Sequence, residues 1–234
     1  KKALAIEPDN KEVQHILAGI SQEETPKQAP AAYVQNLFDQ YAVYYDKHLT
    51  EVLKFSVPQH LFEAAEQTLA ELNQQSEQYT VLDVGCGTGL AGPYFKLIAK
   101  RLIGIDLSEQ MIAVAKTKEL YDQLEVMNAT DIDQHFSDID IVVASDVLTY
   151  IGDLQAIFPR FSSVLNPGGL LAFSTEQTDE PDYILQTTVR YAHNKDYIKS
   201  ALTDAGFTLL HCDNHVLRTQ QKEPVNGYLV IARK

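Results

Sequence analysis

The chain has 234 residues, 45% of them apolar or aromatic, with a net charge of −13 and a pI near 4.9. That suits one α/β domain with an appendage, and the acidic balance, without a clustered basic stripe, disfavours nucleic acid and anionic membrane as partners. Its two cysteines, Cys86 and Cys212, suggest neither a disulfide framework nor a zinc pattern, and the sequence has no long apolar span and no secretory leader, so a reducing cytoplasm is the simplest compartment.

The sequence begins with Lys1 rather than Met and reads as a fragment of something longer. Residues 1–20 contain ALAIEPDN followed by a second helical pattern, similar to the junction between two tetratricopeptide repeats; a short surface helix fits as well. Residues 21–30, SQEETPKQAP, are polar with two prolines and read as a linker. Residues 31–75 read as a helical lid. Phe38, Tyr41 and Tyr45 are spaced three and four apart and so share a helix face, either for packing or for closing over a ligand. Within the lid, residues 56–75 read as an amphipathic helix opened by Ser56 and Pro58.

The stretch from Thr80 to Leu90, TVLDVGCGTGL, reads as a buried strand, a tight loop and a helix start. Gly85, Gly87 and Gly89 free the backbone for positive φ and for close approach to a ligand. A dinucleotide fingerprint is related, but here the third glycine comes one residue early. RLIGIDLS then reads as a second strand ending in Asp106, whose carboxylate suits the two hydroxyls of a ribose. Beyond it the pattern alternates: helices over 90–99, 109–118, 154–165 and 195–205, and strands over 124–127, 139–144 and 169–175. FTLLHCDNHVLR and GYLVIARK close the chain as an antiparallel hairpin.

The run DVGCGTG, GIDLS, SEQMIAVAK, NATDID, IDIVVASDVLTYIGDL and LNPGGLLAFSTE resembles the class I S-adenosylmethionine-dependent methyltransferases. The wording YIGDL, LAFSTE and RYAH looks most like the bacterial members that carry tetratricopeptide repeats. The resemblance implies a Rossmann-like, seven-stranded, mostly parallel sheet over residues 76–234, with the C-terminal hairpin and an N-terminal helical extension. It also implies S-adenosylmethionine as cofactor and S-adenosylhomocysteine as product. Gly85 and Gly87 are expected beneath the methionine part, with Asp83 anchoring the loop or the ammonium and Cys86 facing inward. Asp106 is expected on the ribose, Leu107 and Met111 against the adenine, Asp131 on its amino group with Asp133 as competitor, and the Ile132 backbone on a ring nitrogen. Backbone from Ser145 to Val147 is expected along the sulfonium, and Tyr33 and Tyr41 are the expected lid contacts.

Methyl transfer from a sulfonium chiefly needs alignment and exclusion of water, with a base only when the acceptor arrives protonated; no metal is required. His193, Tyr150, Asp146 and Glu176 are the candidate bases, with a hydrogen-bonded loop histidine as the alternative for His193. Arg190 suits an acidic acceptor group or a carboxylate partner, and the acidic run 176–182 suits a solvated loop. The expected acceptor is a small molecule methylated at O, N or C. The alternatives are a protein acceptor recruited through upstream repeats, a noncatalytic cofactor-binding scaffold and a nicotinamide dehydrogenase.

Overall fold

The computed structural model describes residues 4, 7–21, 25–74 and 79–234. Most of the first helix of the suggested repeat therefore lies outside the described residues. Its successor is α1 (Lys11–Ser21), which rests on α2 (Ala31–Tyr41) through Asn36 Nδ2 donating to Glu12 Oε1 at 2.7 Å and through His15 packed on Tyr33. The described part of the linker is pinned rather than loose. The Lys27 carbonyl accepts from Gly152 and Asp153, and Ala29 donates to the Tyr150 carbonyl.

After α2 the chain makes a helical turn (Tyr45–Lys47) and a π-helical turn (His48–Val52), then enters α3 (Val57–Glu71). α3 was grouped with the lid in sequence, but it is core: Val57, Leu61, Ala65 and Leu69 pack on the sheet. The part of the expected lid that stands off the sheet is the segment from α2 to the π-helical turn.

The sheet begins with β1 (Tyr79–Val84) and β2 (Ala99–Asp106), followed by α4 (Glu109–Thr117) and β3 (Gln123–Val126). It continues with β4 (Ile139–Ala144), α5 (Leu154–Val164) and β5 (Leu165–Gln177). The helix expected over 90–99 is only the turn Gly92–Phe95. Gly92 and Pro93 open it, and β2 already starts at Ala99, leaving no room for more. β6 (Tyr183–Leu185) and β7 (Tyr191–His193) form a hairpin where the sequence suggested loop; α6 (Lys195–Asp204), β8 (Thr208–Gln220) and β9 (Glu223–Arg233) complete the chain.

The strand order is β3-β2-β1-β4-β5-β7-β6, with β9 antiparallel to β5 and β8 antiparallel to β9, giving nine strands. The mostly parallel Rossmann-like sheet and terminal hairpin are as expected, and the added pair is β6 and β7. Adjacent residues in the central strands alternate between two cores. Leu82, Ile103, Val142 and Leu171 face α5 and α6, whereas Val81, Leu102, Ile141 and Leu170 face α3. Burial of both faces is why these strands read as continuous apolar runs.

Register sets the site. Val84 pairs with Ile105, and Asp83 with Gly104 and Val143, so β1, β2 and β4 end together and deliver Gly85, Asp106 and Ser145 to one edge. β5 runs past the end of β4. At Glu176 one edge of β5 pairs with Gly227 of β9 and the other with Ala192 of β7, so the β6–β7 hairpin occupies the place above β4.

Candidate cofactor crevice and adjoining cavity

A crevice opens at the carboxyl ends of the parallel strands, the usual ligand position in an open α/β sheet. Its floor is Gly85 and Gly87, at φ +65° and +55°. A Cβ on Gly85 would lie 2.5 Å from Val147 Cγ2, so glycine is required there by both φ and space. Asp106 stands at one side. Its Oδ2 accepts from the Gly87 amide at 2.9 Å and its Oδ1 from the Ser108 amide at 2.8 Å, which folds the glycine loop onto the strand end. Each oxygen keeps a second lone pair for a hydroxyl. Burial raises the Asp106 carboxyl above its ordinary range.

Leu107, Met127 and the backbone stretch 128–130 line the side beyond Asp106, and Ser145, Asp146 and Val147 line the side toward β4. The Ser145 Oγ is buried and has no partner among the described residues, a vacancy in hydrogen bonding that a polar ligand group would fill. Ala31, Val34 and Phe38 on α2, with Tyr45, cover the crevice; the Phe38 ring meets Tyr45 at 6.0 Å and Tyr150 at 5.4 Å. Ser108 Oγ donates to Asp39 Oδ1 at 2.5 Å, tying this lid to the end of β2.

Other residues singled out in sequence stand elsewhere. Asp83 is buried beneath the loop, where it accepts from the Tyr121 hydroxyl at 2.6 Å, and burial pushes its pKa up to about 7. Cys86 faces inward, with burial raising its thiol pKa well above the ordinary value. Met111 is fully buried on the inner face of α4, and Met127 rather than Met111 lines the crevice. The Ile132 side chain is core, which leaves the expected backbone contact open; Asp131 is exposed beside Thr130, and Asp133 pairs with Arg160 at 2.8 Å on the surface. These displacements share a cause: residues 129–134 form a 3-10 helix capped by Asn128, whose tighter winding turns the aspartates outward. Tyr33 and Tyr41 miss the crevice because α2 presents Ala31, Val34 and Phe38 to it; both tyrosines line a second cavity behind the lid.

That cavity shares Phe38, Tyr45, Asp146 and Tyr150 with the crevice and is closed by Arg190 and Arg218. The two arginines and two carboxylates form a buried network. Arg190 donates from Nε to Glu176 Oε1 and from Nη2 to Asp146 Oδ1, each at 2.6 Å, and from Nη1 to the Tyr150 hydroxyl at 2.9 Å. Arg218 bonds Glu176 and reaches Asp146 at 3.4 Å. Burial alone would raise the Glu176 pKa, but the two guanidiniums outweigh it and hold the carboxyl below its ordinary value. Arg218 had no signal in the sequence pattern. A register shift between Val216 and Arg218 in β8 lets Leu217 and Arg218 both turn inward, which simple strand alternation forbids.

His193 lies outside both cavities. It is fully buried in β7, with Nε2 donating to the Ile151 carbonyl at 2.9 Å and the Gly152 carbonyl at 3.2 Å and Nδ1 bound by the Thr175 hydroxyl. Burial lowers its pKa to about 4. Its ring is a strut joining β5, β7 and the loop after β4, and that placement removes it from the candidate bases. Tyr150 does line both cavities, but burial pushes its hydroxyl up to about 12.

Residues 82–173 match the family described as Methyltransferase domain. Over 107 residues the chain is 33% identical to malonyl-[acyl-carrier protein] O-methyltransferase of Yersinia pestis, covering 46% of this chain and 40% of that protein. It is 31% identical over 117 residues to ubiquinone biosynthesis O-methyltransferase of Hydrogenovibrio crunogenus, covering 48% of each. The chain thus spans less than half the length of these curated relatives. Among solved structures, the magnesium protoporphyrin IX methyltransferase of Synechocystis PCC 6803 with bound S-adenosylhomocysteine superposes with a TM-score of 0.65 at 17% identity, covering 87% of this chain and 99% of that one. Family match, strand order and superposition agree on the fold: residues 82–173 match a methyltransferase domain, and the sheet around them is that of the solved methyltransferase structure.

Proposed function

We propose that the chain methylates a small-molecule acceptor from S-adenosylmethionine, the cofactor in the crevice and the acceptor in the adjoining cavity. The observation that carries this is one crevice holding the two-glycine floor, the Asp106 carboxylate and the unpartnered Ser145 hydroxyl, and sharing Asp146 and Tyr150 with a second cavity. When bound, the cofactor supplies a methyl group made electrophilic by its sulfonium sulfur.

The chain's own residues hold and orient. Asp106 offers its free lone pairs to the ribose, Leu107 and Met127 flank the base, and Gly85, Gly87 and Ser145 receive the amino-acid end. Phe38 and Tyr45 exclude water. Asp146 and Tyr150 are bound to Arg190 and act as positioning residues, fixing the wall between the two ligands.

The ALAIEPDN motif supports a tetratricopeptide-containing subtype, with repeats ahead of this domain that recruit a protein partner. The free thiols Cys86 and Cys212 suit a reducing compartment such as the cytoplasm. Among the described residues no helix is long and apolar enough to cross a membrane. Incubating the protein with methyl-labelled S-adenosylmethionine and fractionated small-molecule extract tests the reading. Label transfer to a small product together with release of S-adenosylhomocysteine is expected; label appearing on protein alone would favour a protein acceptor.

A further inference from the structure

Arg218 is 5% exposed yet only partly used. Among the described residues its partners are Asp146 through Nη1 and Glu176 through Nη2, which leaves the Nε–H and one N–H on each terminal nitrogen without one. These donors lie on the cavity wall, where an acceptor in the cavity can take them in place of water. Arg190, by contrast, spends donors on Glu176, Asp146, Tyr150 and Thr149.

Charge points the same way. Arg190 and Arg218 balance Asp146 and Glu176, so the network is neutral by itself. The wall around Arg218 therefore presents no surplus negative charge to an anion, and a cationic cofactor in the crevice, set against the Asp106 carboxylate, adds none. The neighbouring walls are aromatic: Tyr33, Phe38, Tyr41 and Tyr45. The groups that could deprotonate an acceptor here are committed. Asp146 is held by both arginines, Tyr150 bonds Arg190, and His48 Nδ1 is bound by the Tyr41 hydroxyl. A carboxylate is already ionised, so one of its oxygens can form the new O–CH3 bond as the S–CH3 bond breaks and S-adenosylhomocysteine leaves as a neutral thioether, with no proton to remove.

Resting on the methyltransferase reading above, we infer that the acceptor is a small aromatic carboxylic acid whose carboxylate is received by the unspent N–H groups of Arg218. The test uses the protein saturated with sinefungin, an analogue with an amine at the sulfonium position that transfers nothing, and titrates benzoate and benzamide by calorimetry. Benzoate is expected to bind roughly ten-fold or more tightly than its neutral isostere, and the Arg218 Nε–H resonance of the unmodified protein is expected to move with benzoate only. Arg218→Gln, checked for a cooperative melting transition and unchanged sinefungin affinity, should erase the preference; if that variant fails to fold, the resonance shift decides. Equal binding of the two probes, binding of neither, or a preference for benzoate without movement of the Arg218 signal would overturn the inference while leaving the cofactor reading intact. Absence of sinefungin binding would overturn the methyltransferase reading and this inference together.

Discussion

The cofactor crevice and the cavity behind it share four side chains, yet they are built by different physics. The crevice rests on strand ends: β1, β2 and β4 stop in register, and the next residues of each, Gly85, Leu107 and Ser145, line it. Its polar groups include the Asp106 and Asp146 carboxylates and the Ser145 hydroxyl, and much of its wall is apolar. The cavity is assembled from separate pieces, the lid, β7's neighbourhood and the bulged end of β8, and is held by charge pairing between Arg190, Arg218, Asp146 and Glu176. A strand-end site is fixed by the sheet and tolerates little change in its loop. A charge-paired site is fixed by mutual compensation, and removing one member strands the others.

That difference can be broken from either side. The largest effect is expected from Arg190→Ala, which leaves Asp146 and Glu176 buried against Arg218 alone. We expect a loss of about 3–5 kcal/mol in urea unfolding, and a loss below about 1 kcal/mol would mean the network is screened like a surface pair. Gly85→Val attacks the other region, because its Cβ would collide with Val147 and its φ is unfavourable for valine. Calorimetry should show S-adenosylhomocysteine affinity falling roughly 100-fold, a cost of about 3 kcal/mol, with the arginine network still formed. Retained affinity would show that the loop is not the floor of the site.

The smallest effect sharpens the boundary between them. His193 carries a pKa of about 4 in the folded chain against an ordinary 6.5. From about pH 6.5 down toward 4 the unfolded chain therefore binds a proton that the native chain does not, and this group's contribution to stability shrinks by about 2 kcal/mol between pH 7 and 5. Asp83 acts in the opposite sense, because its raised value near 7 makes the native chain take up a proton as pH falls through that range. The two offset each other in a melting curve, so NMR is the clean readout: the His193 ring signals should stay in the neutral form from pH 8 to 5. Titration between pH 6 and 7 would return His193 to the list of candidate bases.

How much was legible in the sequence follows the same division. Gly85, Asp106, Leu107 and Ser145 could be placed because each directly ends or follows a parallel strand, with Gly87 two residues further along the same glycine loop, and strand ends are readable from apolar runs and glycines. Met111 and Asp131 could not, since their direction depends on helix phase and on the 3-10 winding after β3. The lid shows the same limit on a single helix. Its aromatic content was visible, but helix phase decides that Phe38 reaches the crevice whereas Tyr33 and Tyr41 line only the cavity behind. Arg218 was invisible because a bulge carries it inward, and His193 read as an accessible loop residue because β6 and β7 are three residues each, too short to leave a periodic signal.

The most direct test of the central claim is a calorimetric titration of the protein with S-adenosylmethionine, S-adenosylhomocysteine and NAD. Micromolar binding of the first two, without the third, is the predicted result; binding of NAD alone would contradict the account.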